Sequence, residues 1–218
     1  ILAGEEEIPI PLEYYVYKED SAAAHYDFGR MGEMIALLSE KFGPYPFADE
    51  KYAVATVPIS GGMEHQTCTT LGGRYVTGSR DQEWIYFHEL SHQWWGDHVG
   101  LADWKHVWLN EGFATYCEAL WVEHTEGTEA YHDYMDELDS MAPPEGFGFG
   151  GACYDPSPLF GLTPYRKGAW VVHMLRHCVG DDDVFFGALR AYRDSLGGTG
   201  LATTETFRDI MEARSDAF

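Results

Sequence analysis

Residues 87–96 read Phe-His-Glu-Leu-Ser-His-Gln-Trp-Trp-Gly, and this stretch determines how the rest of the chain is interpreted. His88 and His92 are four positions apart, so on a helix they lie on one face and both imidazoles can reach one metal ion. Aromatic and aliphatic residues surround the pair, which predicts a buried helix. Burying histidines and glutamates without partners is costly, and a metal ion removes that cost. The alternative, a surface helix with two unrelated histidines, fits these apolar neighbours poorly.

A third ligand is predicted from Glu111, which lies in the stretch Trp108–Ala114. A carboxylate from a second helix would complete a set of two histidines and one glutamate, with a fourth position open for water. Glu89 follows a ligand directly, so it is turned around the helix and can face that water instead of the metal. Imidazole and carboxylate ligands suit zinc. The spacing therefore predicts a hydrolytic zinc site, although a His-Glu-x-x-His motif alone is only suggestive.

Four blocks of sequence resemble the M1 family of zinc aminopeptidases, in that family's order along the chain. They are Gly61–His65, His88–Gly96, Leu109–Ala114 and Tyr165–Ala169. Eighteen residues separate His92 from Glu111, as in the family pattern. One departure is His65, where the family most often has Asn. The resemblance covers essentially the whole chain.

The resemblance implies a zinc aminopeptidase that removes one residue at a time from peptides with a free N-terminus. One Zn²⁺ per chain would be held by His88, His92 and Glu111, and Glu89 would act as general base. Tyr165 would stabilise the oxyanion of the transition state. Glu64 would bind the α-amine of the substrate, beside a strand edge formed by Gly61, Gly62 and Met63.

Two other functions remain open at this point. One is a bifunctional aminopeptidase with epoxide hydrolase activity, which a branch of the family has and which the zinc site alone does not distinguish. The other is a non-catalytic, zinc-stabilised scaffold that binds peptides. The presence of Glu64, Glu89 and Tyr165 argues against the scaffold, since a degenerate member would be expected to lose at least one of them.

Composition limits the function classes further. The chain has 218 residues, 45% of them hydrophobic and 15% aromatic, which is typical of a folded domain with a core. No run approaches the roughly 20 apolar residues of a membrane span. The net charge is −22, so nucleic acid is not expected as a partner. Only five residues are lysine; adaptation to salt and simple solubility both account for such a surface. Nothing in the sequence indicates a cellular location.

The pattern of residues predicts an α+β fold, with a small mixed sheet followed by a mostly helical half. The family resemblance implies a thermolysin-like zincin catalytic domain, and we expect residues 1–218 to form a single domain. Strands are predicted at 12–17, 51–59 and 73–77. Helices are predicted from Ser21 to Phe42, around the two histidines up to Gly96, over 105–125 and 128–141, and three times more towards the C-terminus.

Several finer expectations complete the prediction. Ser79 and Gln82 resemble a capping box before the metal-binding helix. Residues 142–164, rich in Pro, Gly and Phe, are expected to form a wall or lid of the cleft. Cys117 and Cys178 are expected to be core thiols, and Glu118 is a candidate to orient a ligand histidine. The resemblance also implies that this chain is a fragment, lacking an N-terminal β-domain and a C-terminal helical domain against which it would pack.

Overall fold

The structure, a computed structural model, describes residues 9–140 and 151–215. The chain divides into two compact units, Ile1–Asp97 and His98–Phe218, and each is described by itself. The first unit contains the sheet and the second is helical, so the prediction of an α+β fold is confirmed. The expectation of a single domain stays a prediction.

A four-stranded mixed sheet forms the centre of the first unit. Its strands are β1 (Leu12–Tyr15), β2 (Tyr52–Val57), β3 (Gly62–Met63) and β4 (Cys68–Gly72), in the spatial order β1-β2-β4-β3. β1, β2 and β4 are parallel, whereas β3 is antiparallel to β4 and lies at one edge. The short edge strand therefore consists of residues from the first block of the family pattern.

The described part of this unit, residues 9–97, contains three α-helices: α1 (Ser21–Asp27), α2 (Met31–Phe42) and α3 (Glu83–Ser91). α2 buries the apolar stripe that predicted it, with Met31, Ile35, Leu38 and Phe42 inaccessible to solvent. The predicted helix from Ser21 to Phe42 is interrupted by one 3-10 turn, Phe28–Arg30. α3 is buried from Ile85 to Ser91, whereas Trp84 in its first turn is 43% exposed.

Two local predictions in this unit are wrong. Residues 73–75 form a 3-10 turn instead of a strand, and the strand that pairs with β2 is Cys68–Gly72. Ser79 does not cap α3: the N-cap residue is Gln82, without a side-chain hydrogen bond, and the Ser79 hydroxyl donates to Asp81. The Asp81 carboxylate also accepts from Thr77, so these side chains satisfy each other in the turn before the helix.

The second unit consists of five α-helices among its described residues: α4 (Trp108–Glu126), α5 (Thr128–Ser140), α6 (Gly168–Val179), α7 (Asp182–Leu196) and α8 (Thr204–Arg214). α4 is the central helix, because it is buried on nearly all sides from Trp108 to Trp121 and packs against α5 and α6. Asp181 caps α7, and Thr203 forms a capping box with Thr206 at the start of α8. These predicted helices are confirmed.

The predicted lid, residues 142–164, lies partly outside the described residues, which exclude 141–150. Residues 151–161 form turns and bends, and a π-helical turn, Thr163–Lys167, then leads into α6. The role of this segment at the cleft stays a prediction. Cys117 is buried as expected, but the expectation for Cys178 is wrong, because that residue is exposed on α6. Within the described residues, no helix has the length and apolar character needed to cross a membrane.

Candidate functional site

Helix α3 and the turn that follows it carry the two predicted histidine ligands. His88 lies in the last turn of the helix, and His92 continues it through a bond from its backbone N–H to the carbonyl of His88. Both side chains are buried, and their Nε2 atoms lie 3.2 Å apart. Two nitrogens bound to one tetrahedral zinc at about 2.0–2.1 Å would be separated by about 3.3–3.4 Å. The pair therefore has the separation that a shared metal requires.

The chain turns sharply after the second histidine, and this turn orients the ring. Trp95 and Gly96 leave the helical conformation, and Gly96 has φ 144°, a backbone angle that favours glycine. The carbonyl of Trp95 consequently lies 2.9 Å from Nδ1 of His92. A carbonyl can only accept, so Nδ1 carries the proton and Nε2 presents its lone pair to a metal. This contact could not be predicted from the sequence, because it depends on the kink at Trp95 and Gly96.

Glu111, the third predicted ligand, lies in the first turn of α4 and is buried. His88, His92 and Glu111 each offer one ligand atom, and these atoms all lie within 4.8 Å of one another. It is the one such group of histidine, cysteine, aspartate or glutamate side chains found in the described part of the chain. Two imidazoles and a carboxylate with little solvent access form a donor set that suits zinc.

Glu89, the predicted general base, is 6% exposed and lies against the edge strand β3. A Cβ atom added at Gly62 would come within 2.4 Å of Oε1 of Glu89 and 2.6 Å of its Cγ. A side chain at this position would therefore require the Glu89 side chain to move. The strand predicted to line the substrate site thus runs directly beside the carboxylate. Met63 on that strand is 41% exposed, and Glu64 after it is half-buried.

Tyr165 lies in the π-helical turn Thr163–Lys167, which packs against α4. The contact is close at two glycines: a Cβ atom at Gly112 would lie 2.7 Å from Cα of Gly168 and 3.0 Å from the carbonyl oxygen of Pro164. The turn that carries Tyr165 is thereby held against the first turns of the helix that carries Glu111. The sequence alone does not predict this close contact between the two glycines.

Glu118, the residue expected to orient a ligand histidine, has another partner in the structure. Glu118 is buried on α4 and accepts a hydrogen bond from the hydroxyl of Tyr134. Its predicted role towards a histidine stays a prediction.

Burial raises the pKa of the Asp97 carboxyl to about 7; nearby His92 opposes this rise, while Glu64 and Glu89 add to it.

The fold and the site together define a class of protein. A helix with two histidines four residues apart, a glutamate directly after the first, and a buried carboxylate among their neighbours is the arrangement of zinc metallopeptidases. Residues 26–217 match the peptidase family M1 domain, and the chain belongs to this family.

Individual relatives agree with this assignment. The chain is 31% identical to aminopeptidase B of Homo sapiens, over 79% of this chain and 28% of that protein. It is 30% identical to leucine aminopeptidase 2 of Sclerotinia sclerotiorum, over 74% of this chain and 29% of that protein. It therefore spans less than a third of the length of these curated relatives.

Solved structures show the same fold. An M1 zinc metallopeptidase from Deinococcus radiodurans superposes with a TM-score of 0.72 at 32% identity, covering 87% of this chain and 41% of that chain. Native leukotriene A4 hydrolase from Saccharomyces cerevisiae gives a TM-score of 0.79 at 23% identity, covering 95% and 35%, which is a likeness in fold alone. The family resemblance read from the four sequence blocks is confirmed.

Proposed function

We propose that this chain forms the catalytic part of a zinc-dependent aminopeptidase, which hydrolyses the peptide bond after the N-terminal residue of a peptide. The observation that carries this proposal is the buried group of His88, His92 and Glu111, with the carboxylate of Glu89 next to one ligand along the chain. The names of the relatives, among them aminopeptidase B and leucine aminopeptidase 2, support the same activity.

His88, His92 and Glu111 would hold one zinc ion. Two observations support this assignment. The separation of the two Nε2 atoms matches that of two nitrogens on one tetrahedral zinc, and the proton on Nδ1 of His92 leaves Nε2 as the nitrogen that can bind a cation. A dication also offsets the electrostatic cost of burying carboxylates such as Glu111. When bound, zinc acts as a Lewis acid that polarises the substrate carbonyl and lowers the pKa of water to about 7.

Glu89 would act as general base and then as general acid. Its carboxylate accepts the proton of the attacking water and passes a proton to the leaving amine. Its low exposure supports this role, because a carboxylate shielded from bulk water exchanges protons with the reacting groups beside it. The backbone at Gly62 forms one wall of its site, which limits the positions that the carboxylate can adopt.

Glu64 would bind the free α-amine of the substrate, and Tyr165 would donate a hydrogen bond to the developing oxyanion. Gly61, Gly62 and Met63 would run beside the peptide as a strand edge, since β3 lies at the edge of the sheet. A carboxylate at a fixed distance from the metal makes the enzyme measure from the N-terminus, so one residue is released in each reaction.

The direct test compares two substrates that differ only at the amine. We expect the zinc-loaded chain to hydrolyse leucyl-p-nitroanilide and to act poorly on N-acetyl-leucyl-p-nitroanilide. Removal of zinc by a chelator should abolish the activity, and Glu89→Gln should abolish it while zinc stays bound. Equal cleavage of both substrates would refute the aminopeptidase assignment, and zinc binding without any hydrolysis would favour a scaffold.

A further inference from the structure

Gln93 follows the second histidine in the His-Gln-Trp-Trp-Gly extension of the motif, and the proposed chemistry gives it no role. Its side chain is fully buried, with 0% exposure. Buried glutamine is uncommon, because a buried amide loses its hydrogen bonds to water and the protein must replace them. Each polar group of this amide is therefore expected to have a partner in the protein.

The partners lie mainly in the loop between β3 and β4, residues 64–67, which begins with Glu64. Oε1 of Gln93 accepts from the backbone N–H of Thr67 at 2.8 Å, and Nε2 donates to the carbonyl oxygens of Glu64 at 3.3 Å and His65 at 3.5 Å. One side chain thus contacts three backbone groups of the loop. The same residue is adjacent in sequence to a proposed metal ligand.

The same amide makes two further contacts outside the loop. Nε2 donates to the Asp97 carboxylate at 2.7 Å, and Oε1 accepts from the Tyr45 hydroxyl at 3.2 Å. An amide has two lone pairs and two N–H groups, so both lone pairs are engaged. Both N–H groups are engaged as well, with the three acceptors around Nε2 sharing them. A fully satisfied amide is fixed in one rotamer and can hold its neighbours in place.

The loop needs such an anchor. Thr67 has φ 59°, in the left-handed region that a β-branched residue rarely adopts. Its N–H is the group that Gln93 binds at the shortest distance in this loop. Backbone in such a conformation persists only when its surroundings hold it there.

We propose that Gln93 is a positioning residue that fixes the Glu64 loop relative to the helix bearing His88, Glu89 and His92, and so sets the recognition of the substrate α-amine. This inference rests on the proposed function, in which Glu64 binds that amine. Gln93 acts through the backbone of the loop and touches no reacting atom.

Glutamine at position 93 can make these contacts, whereas residues of similar size or chemistry cannot make all of them. Asparagine is one methylene shorter, so its amide would not reach both the loop and Asp97. Glutamate keeps the acceptor for Thr67 but has no N–H groups for the two carbonyls, and its charge would face Asp97. Methionine has a similar length and neither bonding group.

The test uses Gln93→Met in the full chain, loaded with zinc. We expect one zinc per chain to be retained, and the KM for leucyl-p-nitroanilide to rise about 10- to 100-fold with a smaller change in kcat. Calorimetry should show weaker binding of L-leucine and unchanged binding of N-acetyl-L-leucine. Tyr52→Phe is the matched control, because it removes a buried hydrogen bond to Thr69 in the same unit without touching the loop anchor. It should lower the melting temperature and keep the preference for the free amine.

A double-mutant cycle with Glu64→Ala shows whether Gln93 acts through Glu64. If it does, Gln93→Met adds no further loss of amine selectivity once Glu64 is absent. Should Gln93→Met fold poorly, Gln93→Glu keeps the Thr67 bond and is expected to lose selectivity in part. Equal losses on free and acetylated substrates, or losses that add to those of Glu64→Ala, would overturn the proposal. If the unmodified chain shows no preference for the free amine, the proposed function fails instead.

Discussion

The space around a side chain affects the chemistry that is proposed for it. Gly62 is the clearest case, because its backbone occupies the position next to the Glu89 side chain where any Cβ atom would clash. The motif His-Glu-x-x-His defines which groups are present, but the glycine on the neighbouring strand sets where the carboxylate can lie. The chemistry proposed for Glu89 is therefore expected to depend on Gly62, a residue that itself carries no functional group.

We expect Gly62→Ala to displace the Glu89 carboxylate and to lower kcat by about 10- to 100-fold, with zinc retained. Gly73→Ala is the matched control in the same unit, since the nearest atom to its new Cβ would be 3.9 Å away. Steady-state kinetics and zinc analysis of both variants provide the measurement. An alanine at 62 with unchanged kcat would contradict the close contact.

The sequence predicts some of these residues and not others. His88, His92, Glu89 and Glu111 could be found because their spacing follows from helix geometry and a fixed interval. The bond from His92 to the Trp95 carbonyl could not, because it depends on the turn at Gly96. Neither could the contacts of Gln93, which join residues about 30 positions apart in sequence through backbone atoms of a loop.

Secondary-structure elements in the second unit are held together by close helix contacts. The first turns of α4 and the start of α6 meet at Gly112 and Gly168, with Cβ-to-Cα distances near 2.7 Å. Backbones that approach this closely exclude a side chain on either partner. The same contact sets the position of the turn that carries Tyr165.

Gly112→Ala should therefore separate these elements and destabilise the protein by roughly 1–3 kcal/mol. Gly187→Ala on α7 is the control: its Cβ would have 3.7 Å of clearance, so it should be neutral or stabilise the helix. Denaturant unfolding of both variants gives the free energies. Equal stabilities would show that the contact at Gly112 is not tight.

His173 on α6 contacts Tyr131 on α5, and its environment leads us to expect that stability depends on pH. The Tyr131 hydroxyl bonds Nδ1 of His173 at 2.7 Å. Burial lowers the pKa of His173 below its ordinary value of 6.5, with nearby His132, His177 and Arg176 adding to the effect and Asp136 opposing it. As pH falls below 6.5, His173 takes up a proton in the unfolded chain before it does so in the folded one. The free energy of unfolding therefore decreases until the pH falls below the pKa of His173 in the folded state.

We expect His173→Gln to reduce the fall in the free energy of unfolding between pH 7 and pH 5. Denaturant titrations at several pH values measure that slope, and His25→Gln, a change at an exposed histidine in the first unit, serves as control. A slope that both variants leave unaltered would contradict the assignment.

The bounds of the helices and strands were predicted best where they depend on local sequence, and wrongly where they depend on pairing between strands. The apolar stripe of α2 is a local signal, and that helix was predicted correctly apart from the 3-10 turn before it. The caps of α7 and α8 are also local, but they were not predicted. β4 was missed although its threonines favour a strand. The segment Cys68–Gly72 is short, and it is fixed as a strand by its pairing with β2, which the sequence does not show. The wrong strand at 73–77 began where that pairing ends.

The whole molecule carries a net charge of −22, from 36 acidic and 14 basic residues. Like charges repel within a compact fold, and salt screens this repulsion as the Debye length falls from about 30 Å at 0.01 M to about 8 Å at 0.15 M. We expect the melting temperature to rise when NaCl is added over this range. A constant or falling melting temperature would show that local ion pairs outweigh the net charge.

The central claim is that His88, His92 and Glu111 hold one zinc ion. Anomalous diffraction at the zinc absorption edge, from crystals of the zinc-loaded chain, tests it directly. We predict a single strong peak at about 2.0–2.2 Å from both Nε2 atoms and a carboxylate oxygen of Glu111. A well-ordered map with no peak among these three side chains, or with zinc bound elsewhere, would contradict the account.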